Sequence, residues 1–354
     1  MTDRTPARFG RRALLLAGGG ALAAAGLAQA APAAAHAAPT GRHGSPPHRP
    51  FDLTRPATAL FRAKPLHNNT VLQSFAFDDH NRRLYAVQLM AGGQQLPDEP
   101  APVSGATRAA NGDLCLTQLD PAGNETGHMF LKGFGHGVQI GVEPHRSGAY
   151  LWTEVASDNY GGTNGWGQHL GRFRFADGAV LTASDPRIRQ VALIPGTDHT
   201  TVSVNVREDL LLVRYARSGV FHYALFRLSE VNRGRCRVLT DIAQPTLPGT
   251  FQGFTFSGGN LYLLTGDAYG AAGSVSPVGN THISRVDLRT GGIVADSLIE
   301  AGADLLFREP EGMAVATPDP RRPGNLRLCW GFASTVSSTD TAKLASVYYQ
   351  DQRG

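Results

Sequence analysis

Three histidines in this sequence lie in corresponding loops and could perform chemistry together. His67, His136 and His199 each precede or begin a short apolar run. With Glu309 or Glu311 they could bind a metal ion or transfer protons, because imidazole and carboxylate groups do both near neutral pH. No local ligand motif such as H-E-x-x-H accompanies them. The sequence therefore predicts no metal and no cofactor, with a divalent ion left as an alternative.

Aromatic residues lie in glycine-rich segments beside amide and carboxyl side chains. Tyr160 and Trp166 belong to segment 156–169, and Tyr269 belongs to segment 267–281. A sugar ring has an apolar face that stacks on aromatic rings and hydroxyl edges that form hydrogen bonds. These residues therefore predict a carbohydrate-binding surface.

A polysaccharide lyase acting on a uronate-containing glycan is the alternative function. Such an enzyme needs a base that removes the proton beside the carboxylate and a cation that neutralises the carboxylate. His136, His67 or Tyr160 could be the base, and Arg308 could be the cation. Hydrolysis by paired carboxylates is less favoured because acidic residues in these loops are few, and no G-x-S-x-G motif is present.

The elements that must position these residues are short β-strands. The chain contains β-branched and aromatic runs separated by Gly, Asn, Asp and Pro. One pattern recurs, in which a polar and a small residue precede three alternating positions that begin with an apolar one. The copies begin at Gln73, His136, Thr200, Gln252 and Glu311, with spacings of 63, 64, 52 and 59 residues.

The first four copies each start a unit of four apolar runs, which predicts an all-β, five-bladed β-propeller with four-stranded blades. The fifth unit has only three runs of its own, and segment 59–62 is expected to supply the missing strand and close the ring. A β-sandwich would not repeat one pattern five times. The loops that enter the inner strands share a face with those joining second and third strands, so the three histidines are expected to converge there. The five leading residues are expected to surround the central channel.

Residues 1–37 are predicted to be a signal peptide of the twin-arginine type. Arg11 and Arg12 stand directly before a short apolar run, and cleavage motifs end at Ala30 and Ala37. The run is shorter than the about 20 residues that a membrane span needs. We expect the chain to be exported already folded and secreted.

The predicted domain boundaries follow from composition. Residues 38–52 are rich in Pro, Gly and His without apolar periodicity, which predicts a flexible linker, and residues 53–354 are assigned to the propeller.

The formal net charge of +4 lies mostly in the predicted leader. The rest of the chain is close to neutral, which excludes the basic surface of a nucleic-acid-binding protein. Cys115, Cys236 and Cys329 lie in apolar runs without metal-ligand or disulfide spacing, so each is expected to be a small buried residue, with one disulfide left open.

Four stretches carry a resemblance to a known family, namely 66–75, 133–137, 150–154 and 308–313. They resemble the TagC-like propeller of staphylococcal-phage receptor-binding proteins and of actinobacterial exported proteins labelled teichoic acid biosynthesis protein C. The resemblance covers roughly residues 55–350. It implies a five-bladed propeller that contacts a cell-wall glycopolymer, because the phage relatives bind wall teichoic acid. The resemblance does not identify any catalytic residues in this chain.

We therefore predict a secreted, monomeric propeller whose partner is a cell-wall or extracellular polysaccharide. The predicted ligand-binding residues lie in the loops of one face, at its inner strands, or in the stretches that carry the resemblance. They are His67, Asn68, Gln73, His136, Trp152, Glu154, Tyr160, Trp166, His169, His199, Gln252, Tyr269, Arg308, Glu309 and Glu311.

Overall fold

The computed structural model describes residues 49–352, and nearly all regular structure there is β-strand. The predicted leader and residues 38–48 of the predicted linker lie outside the described residues. Strand β1 is Thr58–Lys64. The first blade contains β2 (Leu72–Asp78), β3 (Arg83–Leu89), helix α1 (Gly105–Asn111), β4 (Leu114–Leu119) and β5 (Glu125–Lys132).

The other four blades follow in chain order. The second contains β6 (Gly141–His145), β7 (Gly148–Asp158), β8 (Trp166–Arg174) and, after the short strand β9 (Val180–Thr182), β10 (Arg189–Val191). The third contains β11 (Asp198–Asn205), β12 (Leu210–Arg217), β13 (Val220–Arg227), helix α2 (Leu228–Asn232) and β14 (Val238–Ala243). The fourth contains β15 (Phe251–Ser257), β16 (Asn260–Thr265), β17 (His282–Asp287) and β18 (Ile293–Leu298). The fifth contains β19 (Leu306–Ala316), β20 (Arg327–Thr335) and β21 (Leu344–Asp351).

Each blade is an antiparallel sheet whose strands follow one another from the inside outwards. Strand β9 is an exception, because it pairs in parallel with β5 and adds a fifth strand to the first blade. Strand β10 then takes the outer position of the second blade beside β8. The structure is therefore the five-bladed propeller that the repeat predicts.

The ring is closed by β1, which pairs antiparallel with β21. Thr58 lies opposite Tyr349, and Lys64 lies opposite Ala345. The fifth blade therefore has four strands, in the order β1, β21, β20 and β19. This confirms the prediction that a strand ahead of the first unit completes the last one, and it pairs the edge that β21 would otherwise expose.

Each pair of neighbouring blades shares one buried apolar cluster. Side chains alternate between the two faces of a strand, and both faces of a blade are covered by its neighbours, so both faces are apolar. Representative pairs across the five boundaries are Tyr85 with Leu151, Trp152 with Val213, Leu212 with Phe254, Tyr262 with Trp330, and Phe75 with Val347.

The small residue at the second position of the repeat lets the inner strands approach one another at the axis. The Ser74 hydroxyl donates to the carbonyl of Gly137 at 2.5 Å, and the Thr201 hydroxyl donates to the carbonyl of Gln139 at 2.8 Å. At Gly312, where φ is +68°, an added β-carbon would lie 2.6 Å from the Cα of Ser74. The repeat therefore encodes contact between blades.

Two details of the predicted core differ from the structure. The second copy of the repeat, 136–140, is not a strand, and β6 begins after it at Gly141. The reason is that Gly137 is left-handed with φ +80° and its N–H donates to the side chain of Glu154 rather than to a strand. Cys236 is exposed in the turn before β14, whereas Cys115 and Cys329 are buried as predicted, and all three are free.

The predicted linker ends earlier than residue 52. Phe51 and Leu53 are buried, and the backbone N–H of Phe51 donates to the hydroxyl of Tyr262. These residues pack in the cluster between the fourth and fifth blades. Neither helix in residues 49–352 is long and apolar enough to cross a bilayer.

Candidate functional site

Two sets of loops meet on one face of the propeller, as antiparallel blades require. One set leads into the inner strands β2, β6, β11, β15 and β19, and the other joins the second strand of a blade to the third. We call this side the loop-rich face. Most of the predicted ligand-binding residues lie in or beside these loops.

The longest of these loops follows β3 and is fixed by buried charges. The Arg108 guanidinium donates to Glu99 at 2.5 and 2.6 Å and to Asp113 at 3.0 Å, and all three side chains are nearly inaccessible. Hydrogen bonds from Arg108 lower the pKa of Glu99 to about 2. Asn68 joins this support, because its Oδ1 accepts the N–H of Ala91 at 2.5 Å while the side chain is only 2% exposed. The prediction that Asn68 contacts ligand is therefore wrong, since its side chain is used to hold the loop.

Four aromatic side chains from the second and third blades form one continuous stack on the loop-rich face. His136 stacks on Trp166 with ring centroids 4.5 Å apart and planes at 20°. Trp166 is followed by His199 at 4.7 Å, and His199 by Tyr160 at 5.4 Å, with planes at 12°. We call these residues the aromatic stack. Tyr160 is half-exposed, so the stack opens to solvent at that end.

The backbone that presents the stack is held in an uncommon conformation. Tyr160 and His199 have φ values of +48° and +49°, a region that non-glycine residues rarely adopt. A register shift between Asp198 and Thr201 marks a bulge in β11, and such bulges re-aim side chains. Asp158 accepts the N–H of Tyr160 at 2.8 Å, and Asp198 Oδ1 lies 2.7 Å from the His199 ring. Strained residues that are fixed in this way cluster at functional sites.

Glu154 supports the stack from below. Its buried carboxylate accepts the N–H of Gly137 at 2.6 Å and the N–H of Gly167 at 2.7 Å, which fixes the residues next to His136 and Trp166. Burial raises the pKa of Glu154 to about 7 even though these bonds favour the charged form. Since the side chain is 1% exposed, the prediction that Glu154 touches a ligand is wrong, and its role is to position the stack.

Two groups of the stack are neutral near pH 7. Desolvation, with a smaller effect from His199, lowers the pKa of His136 to about 4. Burial together with the nearby carboxylates of Asp198 and Asp158 raises the pKa of Tyr160 to about 12. The rings of His136 and Tyr160 are therefore uncharged, which suits contact with the apolar face of a sugar or polyol.

A guanidinium lies next to the stack, between two phenylalanine rings. The Cζ atom of Arg214 is 3.6 Å from the ring centroid of Phe221 and 3.9 Å from that of Phe251. Phe221 also touches His199 edge-on at 5.9 Å, which connects the two groups. Arg214 Nε donates to Gln244 at 2.8 Å. Planar stacking and a fixed Nε hold the guanidinium in one orientation, and the residue is only 5% exposed.

Two acidic residues lie beside the axis on β19. Burial raises the pKa of Glu309 and raises the pKa of Glu311 well above the usual range, the latter also because Glu309 is near. Glu311 is only 5% exposed. Burial therefore favours the neutral form of these carboxyl groups, and a neutral carboxyl group can donate a hydrogen bond to a ligand hydroxyl.

The remaining polar residues of the prediction are spread over several blades. Gln73, at the start of β2, and His169, in β8, are partly exposed. Gln252 donates to the carbonyl of Gly266 at 2.9 Å. The hydroxyl of Tyr269 donates to the carbonyl of Pro277 at 2.7 Å, so this ring fixes its own loop.

Arg308 and Trp152 are enclosed by protein and cannot contact a ligand on the face. Arg308 is fully buried and donates to the carbonyls of Ile299 and Ala301 and to the hydroxyl of Thr281. Trp152 is also fully buried, because it fills the boundary between the second and third blades. Both predictions are wrong. The alternative lyase therefore lacks the cation that was expected to neutralise the carboxylate of its substrate.

His67 does not join His136 and His199. Its loop passes over the outer part of the first blade, and its ring stacks on His128 with centroids 3.4 Å apart. Its Nδ1 lies 2.9 Å from Glu125 Oε1. The expectation that three histidines converge is therefore correct for two of them only, because the loop approaches the outer strand β5 before it reaches β2.

Sequence reasoning missed Arg214 and its two phenylalanines. Arg214 interrupts the apolar run 210–215, and a charged residue inside such a run was the available signal. A buried cation needs partners, which here are aromatic rings and an amide from neighbouring strands. Which residues surround Arg214 depends on how the strands align, and the sequence alone does not show that alignment.

Comparison with known proteins places this geometry in a family. The family model of the phage 5-bladed beta propeller receptor binding platform domain matches residues 71–323. The Bacillus subtilis (strain 168) protein named "Putative major teichoic acid biosynthesis protein C" is 25% identical over 277 residues, which are 75% of this chain and 57% of that protein. The chain thus spans little more than half the length of this relative.

Among solved structures, the tail fiber of Staphylococcus aureus phage P68 superposes with a TM-score of 0.62 at 18% identity. The match covers 86% of this chain and 54% of the fiber, and it shows a shared fold. The five blades and the extent of the family match agree with the resemblance noted in the sequence. The chain therefore belongs to the family of phage five-bladed β-propeller receptor-binding platform domains.

Proposed function

We propose that this chain is an exported propeller that binds an anionic cell-wall glycopolymer of the teichoic acid kind through its loop-rich face. The observation that carries the proposal is the contact between the aromatic stack and the guanidinium of Arg214, through Phe221. A chain of sugar or polyol units joined by phosphates offers apolar faces and anions in alternation. Aromatic rings bind the first, and a planar guanidinium binds the second.

The names of the similar proteins support this choice of ligand. The family is named for receptor binding, and the Bacillus subtilis relative is named for teichoic acid biosynthesis. The uronate lyase is not supported by the geometry, since Arg308 is bonded to backbone carbonyls.

Binding and cleavage can be separated by one experiment on the exported chain. The protein is incubated with poly(glycerol phosphate) and poly(ribitol phosphate) teichoic acids, a uronate polysaccharide and a neutral glucan, and both retention and released product are measured. We expect retention of the phosphate polymers without product. Release of an unsaturated uronate would establish the lyase instead, and neither retention nor product would leave a protein-interaction propeller.

A matched pair of variants locates the binding face. Tyr160→Ala removes the exposed end of the aromatic stack, whereas Tyr150→Ala removes a ring near the start of β7, at the other end of the second blade. We expect only the first variant to lose retention. Equal retention by both would contradict the assignment of the loop-rich face.

Export belongs to the same proposal and has a separate test. Replacing Arg11 and Arg12 by Lys is expected to keep the chain inside the cell, because the twin-arginine pathway reads that pair. The amount of protein in the culture medium measures this. Unchanged secretion of the variant would contradict this route.

A further inference from the structure

Three potential metal ligands lie together on the first blade, apart from the aromatic stack. Within residues 49–352, the ligand atoms of His67, Glu125 and His128 all lie within 4.8 Å of one another. Glu125 Oε1 is 2.9 Å from Nδ1 of His67 and 3.3 Å from Nδ1 of His128. Both imidazoles thus direct the same nitrogen to one carboxylate oxygen.

The local backbone brings these side chains to one side of the sheet. Glu125 and His128 are three apart on β5, and a regular strand would send them to opposite faces. A register shift, in which Gln118 faces Gly127 while Leu119 faces Glu125, places a bulge between them. His67 arrives from the loop after β1, held by a hydrogen bond from its N–H to Thr117 at 3.2 Å.

The spacing of the ligand atoms fits a small divalent ion. Zinc bonds of about 2.0–2.2 Å to nitrogen and oxygen give ligand–ligand separations of about 3.3–3.5 Å in a tetrahedron. The distance of 3.3 Å from His128 to Glu125 lies in this range, and the distance of 2.9 Å from His67 to Glu125 is shorter, so His67 would move outwards slightly on binding. The side chains are 28–35% exposed, which leaves an open side for water and lets the stacked rings tilt toward an ion.

We propose that His67, Glu125 and His128 bind one divalent transition-metal ion, with zinc as the fitting example. Two imidazoles and one carboxylate are a common zinc ligand set. The ion would replace the hydrogen bond between His67 and Glu125, and the contact between His128 and Glu125, by bonds to all three residues. It would join the loop that leaves β1 to the outer strand of the first blade, so it would strengthen the boundary at which the ring closes.

The test uses the tag-free exported chain, freed of metal by a chelator and titrated with zinc chloride by calorimetry. We expect one equivalent to bind and the melting temperature to rise with zinc, because an ion that binds only the folded state stabilises it. His128→Ala and the nearly isosteric Glu125→Gln should each abolish that equivalent and the rise in melting temperature. The second variant keeps the test decisive if the first fails to fold.

His222→Ala is the matched control. His222 lies 3.3 Å from Asp241 with similar exposure, but it belongs to no three-ligand group among the described residues. This variant should bind zinc like the unaltered chain. Absence of saturable binding, or binding that survives both changes at the site, would overturn the proposal.

Discussion

The imidazole of His136 lies against the indole of Trp166, with ring centroids 4.5 Å apart and planes at 20°. His136 lies in the loop before β6 and Trp166 begins β8, and the carboxylate of Glu154 accepts a hydrogen bond from the backbone beside each. The pair is therefore built before any ligand arrives. Such preorganisation lowers the entropy that binding must overcome.

Trp166→Ala should weaken binding of the glycopolymer by roughly fivefold or more, because stacking with an aromatic ring contributes about 1 kcal/mol. Trp166→Phe keeps a flat apolar ring and should retain most of the affinity. Binding isotherms of the two variants against the same polymer measure this. An unchanged affinity for Trp166→Ala would show that the ligand binds elsewhere.

Arg214→Lys should reduce binding of phosphate polymers about tenfold or more while leaving neutral glycans unaffected. Lysine keeps the charge but loses the planar fork and the stacking between Phe221 and Phe251. Arg172→Lys is the control, since Arg172 also lies over a ring, that of Tyr150 at 3.5 Å, near the other end of its blade. Equal losses for charged and neutral polymers would refute the role in anion recognition.

His136 should titrate near pH 4, the value to which desolvation lowers its pKa from 6.5. Because the folded pKa is the lower one, the stability that the neutral ring contributes is complete above pH 6.5 and is lost as pH falls toward 4. NMR titration of the imidazole carbon-bound protons measures the midpoint. Trp166→Ala should raise it by exposing the ring, and a midpoint near 6.5 in the unaltered chain would contradict this environment.

Arg108→Ala should destabilise the protein by about 3–5 kcal/mol, because it leaves Glu99 and Asp113 buried without their cation. Arg187→Ala removes an exposed pair with Asp185 and should change the free energy of unfolding far less, because solvent screens that pair. Denaturant unfolding at neutral pH compares them. The pKa of Glu99 is lowered from 4.5 to about 2. The stability that its ionised carboxylate contributes is therefore complete above pH 4.5 and is lost as the pH falls through about 2.

Gly312→Ala should cost roughly 3 kcal/mol or more, because the methyl group meets the Cα of Ser74 and the residue has φ +68°. Gly324→Ala is the control, since its added carbon meets open space. It should change the free energy of unfolding by less than about 0.5 kcal/mol. Thermal or denaturant unfolding measures the free energy of unfolding of both variants. Similar losses of stability in the two would mean that the inner strands are loosely packed at the axis.

Much of the fold was predictable because a propeller repeats one local pattern. Alternating apolar positions and turn residues recur in each unit, so the blade count and the closing strand follow from the sequence alone. The second copy, 136–140, failed because a side chain, Glu154, takes a backbone hydrogen bond that a strand would use. That exchange depends on tertiary contacts.

The candidate site was predictable only in part. His136, His199, Trp166 and Tyr160 were found because loop position and residue type agree. Trp152 and Arg308 were assigned wrongly, since a blade buries both faces and can enclose even a guanidinium when backbone carbonyls surround it. His67 was expected beside His136 and His199 but lies against His128, because the composition of a loop does not determine its path across a blade.

Because β1 pairs with β21, the ring can close only late in the synthesis of the chain. Among the strands of residues 49–352, β1 is synthesised first, yet its partner β21 follows all five inner strands in the chain. Until β21 has been made, β1 has no partner and the ring cannot close, and unpaired sheet edges can associate with other chains. A chain truncated before β21 would lack the partner of β1, so its ring could not close.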